Sequence, residues 1–206
     1  MQILSMALEV SDLRVMRGRH SIGPVSLQLE KGKQLALTGR NGAGKSSVLQ
    51  AIAGLLPVTS GTIRIADQSV SNGSETLEPW QRGLDWLGQD RGLWPHLSIE
   101  AQCRLVAHNG GKTNEQIRAV ADLLDIRDRL DRRPGFLSGG EAQRAELLRS
   151  VSGGGGLLLL DEPFSAQNQD GRERIEALLD QECQQGRAIL LALHHCDDDR
   201  ESVALL

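Results

Sequence analysis

Hydrophobic and polar positions divide the chain into three regimes. Over the first third, short patches alternate or run apolar and are broken by Gly, Pro or Asp: ALEVSDLRV (7–15), VSLQLEKG (25–32), QLALTG (34–39) and GTIRIAD (61–67). Such patches predict strands, and together a small sheet assembly. The middle third changes period. SIEAQCRLVAH (98–108) and NEQIRAVADLLDI (114–126) carry apolar residues at three- and four-residue intervals, Ile117, Val120, Leu123 and Leu124 among them, and so predict helices. In the last third come four leucines (157–160), a helix-like GRERIEALLDQECQQG (171–186) and an apolar AILLAL (188–193). Strand, helix, strand with uninterrupted apolar strands is the pattern of a parallel sheet covered on both faces, which makes the chain α/β. The SGGGG run (152–156) before the leucines predicts an exposed turn.

Composition narrows the class. A chain of 206 residues, 39% hydrophobic and 24% charged, fits one soluble domain with lobes and buries a core without disulfides. A formal net charge of -4 argues against a nucleic-acid footprint, which needs clustered Lys and Arg. The basic residues Arg127, Arg129, Arg132 and Arg133 interleave with Asp125, Asp128 and Asp131, as on a solvated face. Cys103, Cys183 and Cys196 form no CxxC pair, so neither a disulfide framework nor a zinc site is expected. No apolar run approaches the ~20 residues needed to span a bilayer, and no basic-then-apolar leader opens the chain. Membrane association is expected only through a partner.

Candidate chemistry concentrates in two places. LALTGRNGAGKSS places Gly39, Gly44, Lys45 and Ser46 on the G-x-x-x-x-G-K-[ST] template, after an apolar strand and before the helical SSVLQAIAGLL. A phosphate needs several backbone N–H groups turned inward, which glycines permit, and a helix N-terminus adds a favourable dipole. The cradle is therefore assigned to 39–47, that is Gly39, Arg40, Asn41, Gly42, Ala43, Gly44, Lys45, Ser46 and Ser47. Lys45 is expected to face the β- and γ-phosphates and Ser46 to ligate magnesium. The second place is GLLLLDEPFSAQN (156–168), where a buried strand runs into two acids. Asp161 at its tip suits the second magnesium anchor, held to a narrow position by a rigid strand. Along an extended strand Glu162 points away from Asp161, yet at the strand end it can still reach the γ-phosphate side and accept a proton from water.

Three further stretches carry a family resemblance. LSGGEAQR (137–144) resembles the signature motif of ATP-binding cassette ATPases, and LLLLDEPFSAQN their Walker B segment and D-loop. LGQDRGLWPHLS (87–98) looks like their Q-loop and LLALHH (190–195) like their switch-histidine strand. The resemblance implies a P-loop NTPase (RecA-like) core with an N-terminal antiparallel β-subdomain and an inserted helical subdomain. The core would take about 1–88 and 151–206, the helices about 89–150, within one nucleotide-binding domain. It implies Gln89 at the magnesium and water position, and a γ-phosphate contact from His194, with His195 the alternative. It implies that Ser138, Gly139 and Gly140 face the ATP of a second copy, in a head-to-tail homodimer sandwiching ATP and Mg2+. Ser138 and Glu141 also form a capping box that by itself explains a helix start, although capping does not require Gly139 and Gly140.

The family further implies an ATPase on the cytoplasmic face of the cell membrane, driving separate transmembrane permease subunits, with a solute-binding protein as a further possible partner. LWPHLS resembles importers of small solutes and ions more than exporters. Trp94 and Pro95 fall on the lobe that accepts coupling helices in transporters, or simply pack locally. A non-transport cassette is expected to carry a coiled-coil insertion, paired cassettes or a basic surface, and none is found; a P-loop phosphotransferase would act as a monomer on an acceptor. Three departures stand out. No Tyr exists to stack adenine, and RVMRGRH offers Met16, Arg17 and His20 instead. The D-loop reads Ser165, Ala166, Gln167, Asn168 where S-A-L-D is usual, and Glu141 stands where Gln is frequent.

Overall fold

A computed structural model of the chain describes residues 5–72, 75–89, 92–108, 110–193 and 201–205. Strands β1 (Met6–Arg17), β2 (His20–Glu30), β4 (Val58–Ile65) and β5 (Gln68–Ser71) form an antiparallel sheet in the order β2-β1-β4-β5. Strands β3 (Gln34–Thr38), β6 (Leu84–Leu87), β7 (Leu157–Asp161), β8 (Ala188–Ala192) and β9 (Ser202–Ala204) form the second sheet, ordered β6-β7-β8-β3-β9 with every pairing parallel. Helices α1 (Lys45–Ala53), α2 (Ile99–Val106), α3 (Asn114–Leu123), α4 (Gly139–Ser152) and α5 (Gln169–Gln184) complete the fold.

Period-two alternation explains why β7 is apolar throughout. Leu157 and Leu159 belong to a core shared with α1 and the antiparallel sheet, whereas Leu158 and Leu160 belong to a second core shared with α2, α3, α4 and α5. All four are buried, and burying each contributes roughly 1.5–3 kcal/mol. β8 divides the same way, with Ala188, Leu190 and Ala192 on one side and Ile189 and Leu191 on the other. The acid at the tip of β7 is thereby fixed from both faces of the sheet.

The glycines at 153–156 form the exposed turn the sequence predicts only in part, with Gly154 and Gly156 exposed and Gly155 half-buried. Gly153 is buried, a Cβ there would overlap the Asp85 carboxylate, and the Gly155 N–H donates to Asp85 Oδ2 at 2.9 Å. Asp85 is paired with Arg187, whose Nη1 donates to Glu182 Oε2 at 3.0 Å, and Lys112 Nζ lies 2.7 Å from Glu182 Oε1. Gly153 leaves room for the Asp85 carboxylate and Gly155 for the Leu84–Asp85 backbone, whereas a Cβ at Gly156 would meet nothing.

Helix α1 is anchored at its far end by Arg82, which is 2% exposed. Its Nη1 donates to the carbonyls of Ala51 (2.9 Å) and Ile52 (2.8 Å), and its Nε to Leu77 O (2.9 Å). A cation on the last carbonyls satisfies them and complements the helix dipole. Arg82→Ala is expected to lower the unfolding free energy by roughly 2–4 kcal/mol, since it removes the three hydrogen bonds that the buried guanidinium donates to Ala51, Ile52 and Leu77. A urea titration reads this directly, and a loss under about 1 kcal/mol contradicts the anchoring role.

Candidate active site

The N-termini of the helices differ in one respect. Ser98, Thr113, Ser138 and Asn168 cap α2 to α5, each accepting a hydrogen bond from a backbone N–H in the first turn. Helix α1 begins after Gly44, which has φ 99° and offers no side chain. Its first-turn amides are therefore left for something other than a cap. Gly44 cannot be replaced, because a Cβ would lie 2.6 Å from Ile22 Cγ2 on top of the left-handed backbone.

This loop borders a cavity of about 570 Å³ lined by Asn41, Gly42, Gly44, Lys45, Ser46 and Ser47 on one wall, with Arg17, His20 and Ile22 at one side and Gln89 and Glu162 at the other. Gly39, Arg40 and Ala43 complete the loop, its turn closed by Ala43 N donating to Arg40 O at 3.1 Å. Lys45 is 6% exposed, and its Nζ donates to Gly39 O (2.8 Å) and Arg40 O (3.2 Å). Arg17 Nη1 donates to Ser47 Oγ at 3.4 Å.

Asp161 lies within this assembly rather than at a solvent-facing strand end. It is 4% exposed, and burial raises its pKa against the pull of hydrogen bonds from Ser46 and Gln89 and the charge of Lys45, with Glu162 adding to the rise. Its Oδ1 is buried without a hydrogen-bond partner. Such an oxygen, beside a hydroxyl and an amide, fits a small divalent cation that takes hard oxygen ligands. Among the described residues no group of three His, Cys, Asp or Glu side chains forms a cage for an ion. Magnesium held mainly by substrate phosphates needs only one or two protein ligands, so the donor set suffices.

Glu162 departs from the strand alternation. It follows the last residue of β7 with φ 53°, a left-handed conformation that costs an L-residue about 1–2 kcal/mol. The result is that Asp161 and Glu162 line one smaller cavity of about 250 Å³ together, instead of facing opposite ways. Gln89 joins them, its Nε2 donating to Glu162 Oε1 at 3.2 Å. The structure thus brings Lys45, Ser46, Gln89, Asp161 and Glu162 to one place. His194 and His195 lie outside the described residues.

Ser138, Gly139 and Gly140 are not part of this cavity. They start α4, with Ser138 and Gly139 exposed. The capping box there is formed: Glu141 N donates to Ser138 Oγ (3.3 Å) and Ser138 N to Glu141 Oε2 (2.7 Å). Arg129 Nε donates to Glu141 Oε1 at 2.7 Å. These bonds, the Ser138 N–H first, hold the Glu141 carboxyl down from an ordinary 4.5 to about 2. A depressed acid stabilises the fold above its ordinary value and loses that contribution as pH falls from 4.5 towards 2. Glu141→Gln keeps a capping residue and deletes the charge, so it is expected to lower the thermal midpoint at pH 7 by an amount that shrinks below pH 4.5. A pH-independent difference contradicts that assignment.

Trp94 is held locally, its N–H donating to Gln102 Oε1 (2.9 Å), its carbonyl accepting from Gln102 Nε2 (3.0 Å), and the Arg149 guanidinium 5.2 Å from its ring centre. Two residues escaped the sequence reading. Ile22 packs on the loop glycine, and Gln143 reaches the Glu162 backbone from α4; neither carries a periodic signal that could mark it.

A glycine loop between a parallel strand and a helix, with an acid-tipped strand beyond one intervening strand of the same sheet, defines a P-loop nucleoside-triphosphatase fold. The chain belongs to the ABC transporter family, whose family model matches residues 22–165. It is 37% identical over 183 residues to the thiamine import ATP-binding protein ThiQ of Shigella sonnei, covering 87% of this chain and 77% of that protein. Its identity to ThiQ of Vibrio cholerae is 38% over 179 residues, covering 84% and 74%. Among solved structures it is similar in fold to an ATP-binding subunit of an ABC transporter (TM-score 0.82, 24% identity, 97% of this chain and 85% of that one). A solved ATP-binding cassette of an ABC transporter is also similar in fold (TM-score 0.80, 19% identity, 98% and 88%).

Proposed function

We propose that this ABC transporter ATPase holds Mg-ATP in the cavity above the glycine loop, pairs head to tail with a second copy, and drives import of a small solute through separate membrane-spanning subunits. The observation that carries the reading is the convergence of Lys45, Ser46, Gln89, Asp161 and Glu162 around two cavities that share Gln89 and Glu162, with Asp161 tied to Ser46 and Gln89 by hydrogen bonds. The loop amides and the start of α1 receive phosphate oxygens, and Lys45 neutralises the β- and γ-phosphates. Ser46, Asp161 and Gln89 hold magnesium, directly or through water; bound there, the ion supplies charge neutralisation on the phosphates. Glu162 accepts a proton from the attacking water, which Gln89 helps to orient, and His194 or His195 addresses the γ-phosphate. Catalysis is then mostly positioning and charge stabilisation. Ser138, Gly139 and Gly140 complete the site of the partner copy.

No helix among the described residues is long and apolar enough to cross a membrane; attachment at the cytoplasmic face through permease subunits is proposed on the likeness to import ATP-binding proteins. A solute-binding protein completes the proposed assembly. The name of the ThiQ relatives makes thiamine the first solute to test. Uptake of labelled thiamine should fail in cells lacking the chain and return with the wild-type chain but not with Glu162→Gln. Wild-type uptake without the chain, alongside intact ATP hydrolysis by the purified protein, overturns the solute and leaves the ATPase standing.

The side of the cavity bearing Arg17, His20 and Ile22 has no Phe, Trp or Tyr. Base stacking on such a ring contributes ~1–3 kcal/mol in nucleic-acid complexes, so ATP and GTP are expected to bind within about tenfold of each other. Competition against a fluorescent nucleotide measures this, and discrimination beyond about a hundredfold contradicts it.

A further inference from the structure

The loop that follows the acidic strand is tied to the first turns of α4 by side chains that the chemistry described so far leaves unused. Gln143 Nε2 donates to the Glu162 carbonyl (3.2 Å) and to Ser165 Oγ (3.0 Å). Its Oε1 accepts from the Ala166 N–H (3.1 Å) and from Gln167 Nε2 (2.8 Å). Both donors and both acceptor sites of this amide are therefore filled. Gln167 Nε2 also donates to Gly140 O (3.2 Å), and its Oε1 accepts from Arg144 Nη1 (3.0 Å). The glycine at 171 leaves room for it, since a Cβ there would overlap Gln167 Oε1.

What these bonds hold is the backbone at Glu162. A left-handed φ at a non-glycine residue persists only where its surroundings over-determine it. Here the Glu162 N–H donates to Ala192 O (3.1 Å), and its carbonyl accepts from Ser165 N (3.2 Å) as well as from Gln143. We infer that Gln143, backed by Gln167, is a positioning residue for Glu162, fixing the backbone that aims its carboxylate into the cavity and joining it to the Gly139–Gly140 end of α4. The inference rests on the proposed role of Glu162 as the base. It gives Gln167 a purpose: where a leucine is usual, this chain has an amide that braces Gln143 and reaches the Gly140 carbonyl. The loop bearing the base of one site and the helix start serving the other then move as one body.

Phosphate release and fluorescent-ATP affinity of the full chain test this with Gln143→Ala and Gln167→Leu, each alone and in the Glu162→Gln background. Gln143→Ala is expected to lower kcat about tenfold, and Gln167→Leu about threefold, with ATP affinity nearly unchanged, because misplacing a catalytic group costs rate rather than binding. In the Glu162→Gln background neither substitution should lower the residual rate further, since the group it positions is already gone. A full multiplicative loss in that background overturns the positioning role, as does wild-type kcat for both single variants when Glu162→Gln is inactive. Wild-type turnover of Glu162→Gln itself overturns the base assignment, and this inference with it. Should Gln143→Ala fail to fold, Gln167→Leu alone, in the same two backgrounds, decides the question.

Discussion

Glu162→Gln is expected to bind ATP and scarcely hydrolyse it, with turnover falling by ~10²–10⁴-fold, the contribution of a positioned general base. The substitution is nearly isosteric, and a Gln carbonyl oxygen can still accept from Gln89 Nε2 as Glu162 Oε1 does at 3.2 Å. What it cannot do is take a proton from water. Its effect on binding has a definite sign. Burial, first, and then the neighbouring Glu162 charge push the Asp161 acid upward, so a neutral side chain at 162 makes Asp161 easier to ionise. A more readily ionised Asp161 is a better cation ligand, so Mg-ATP affinity should hold or rise. Under the head-to-tail proposal, the variant should also accumulate as an ATP-bound dimer, visible as earlier elution in size-exclusion chromatography with ATP. Wild-type phosphate release would falsify the assignment, because another group would then be activating the water.

Glu162 also shows where sequence reading stops. The leucines of β7 were legible because a strand covered on both faces must be apolar at every position, and the Gly-Lys-Ser loop because its chemistry is local. The capping box at Ser138 was legible for the same reason. Glu162 was expected to reach the γ-phosphate side, but the backbone turn that brings it there was not legible, since alternation predicts the opposite face and the left-handed φ is held by Ala192, Ser165 and Gln143, three partners from other positions in the chain. Strands β6 and β9 escaped notice for a related reason. Each is short, and each exists through pairing with a segment far away in sequence, β6 with β7 and β9 with β3. Arg82 lies in a mixed stretch, PWQRGLDW (79–86), that marks no helix end, yet it folds under the end of α1. Asn168 lost the charge usual at its position and kept the hydrogen bond, accepting from Gly171 N at 2.9 Å to start α5.

Lys45→Ala is expected to fail one step earlier than Glu162→Gln, at binding itself. The ammonium is almost wholly buried and donates to the carbonyls of Gly39 and Arg40 in its own loop. Those bonds hold the loop wrapped around a positive charge, ready for phosphate. Alanine removes the charge that offsets phosphate repulsion and also the two bonds that shape the loop. Hydrogen bonds to a charged group contribute about 1.5–3 kcal/mol each, so losing one phosphate contact alone should weaken ATP by roughly ten- to a hundredfold, and losing two by more. The clearest measurement is the rise in thermal midpoint on adding Mg-ATP, which depends on binding to the folded state and needs no turnover. Wild-type and Glu162→Gln should both show the rise, whereas Lys45→Ala should show almost none at the same nucleotide concentration. That contrast separates the phosphate cradle from the water-activating side of the same cavity, because one substitution removes the ligand and the other only its reaction. An undiminished rise in Lys45→Ala means that the phosphates rest elsewhere, and then the acids at the end of β7 lose their assigned metal as well.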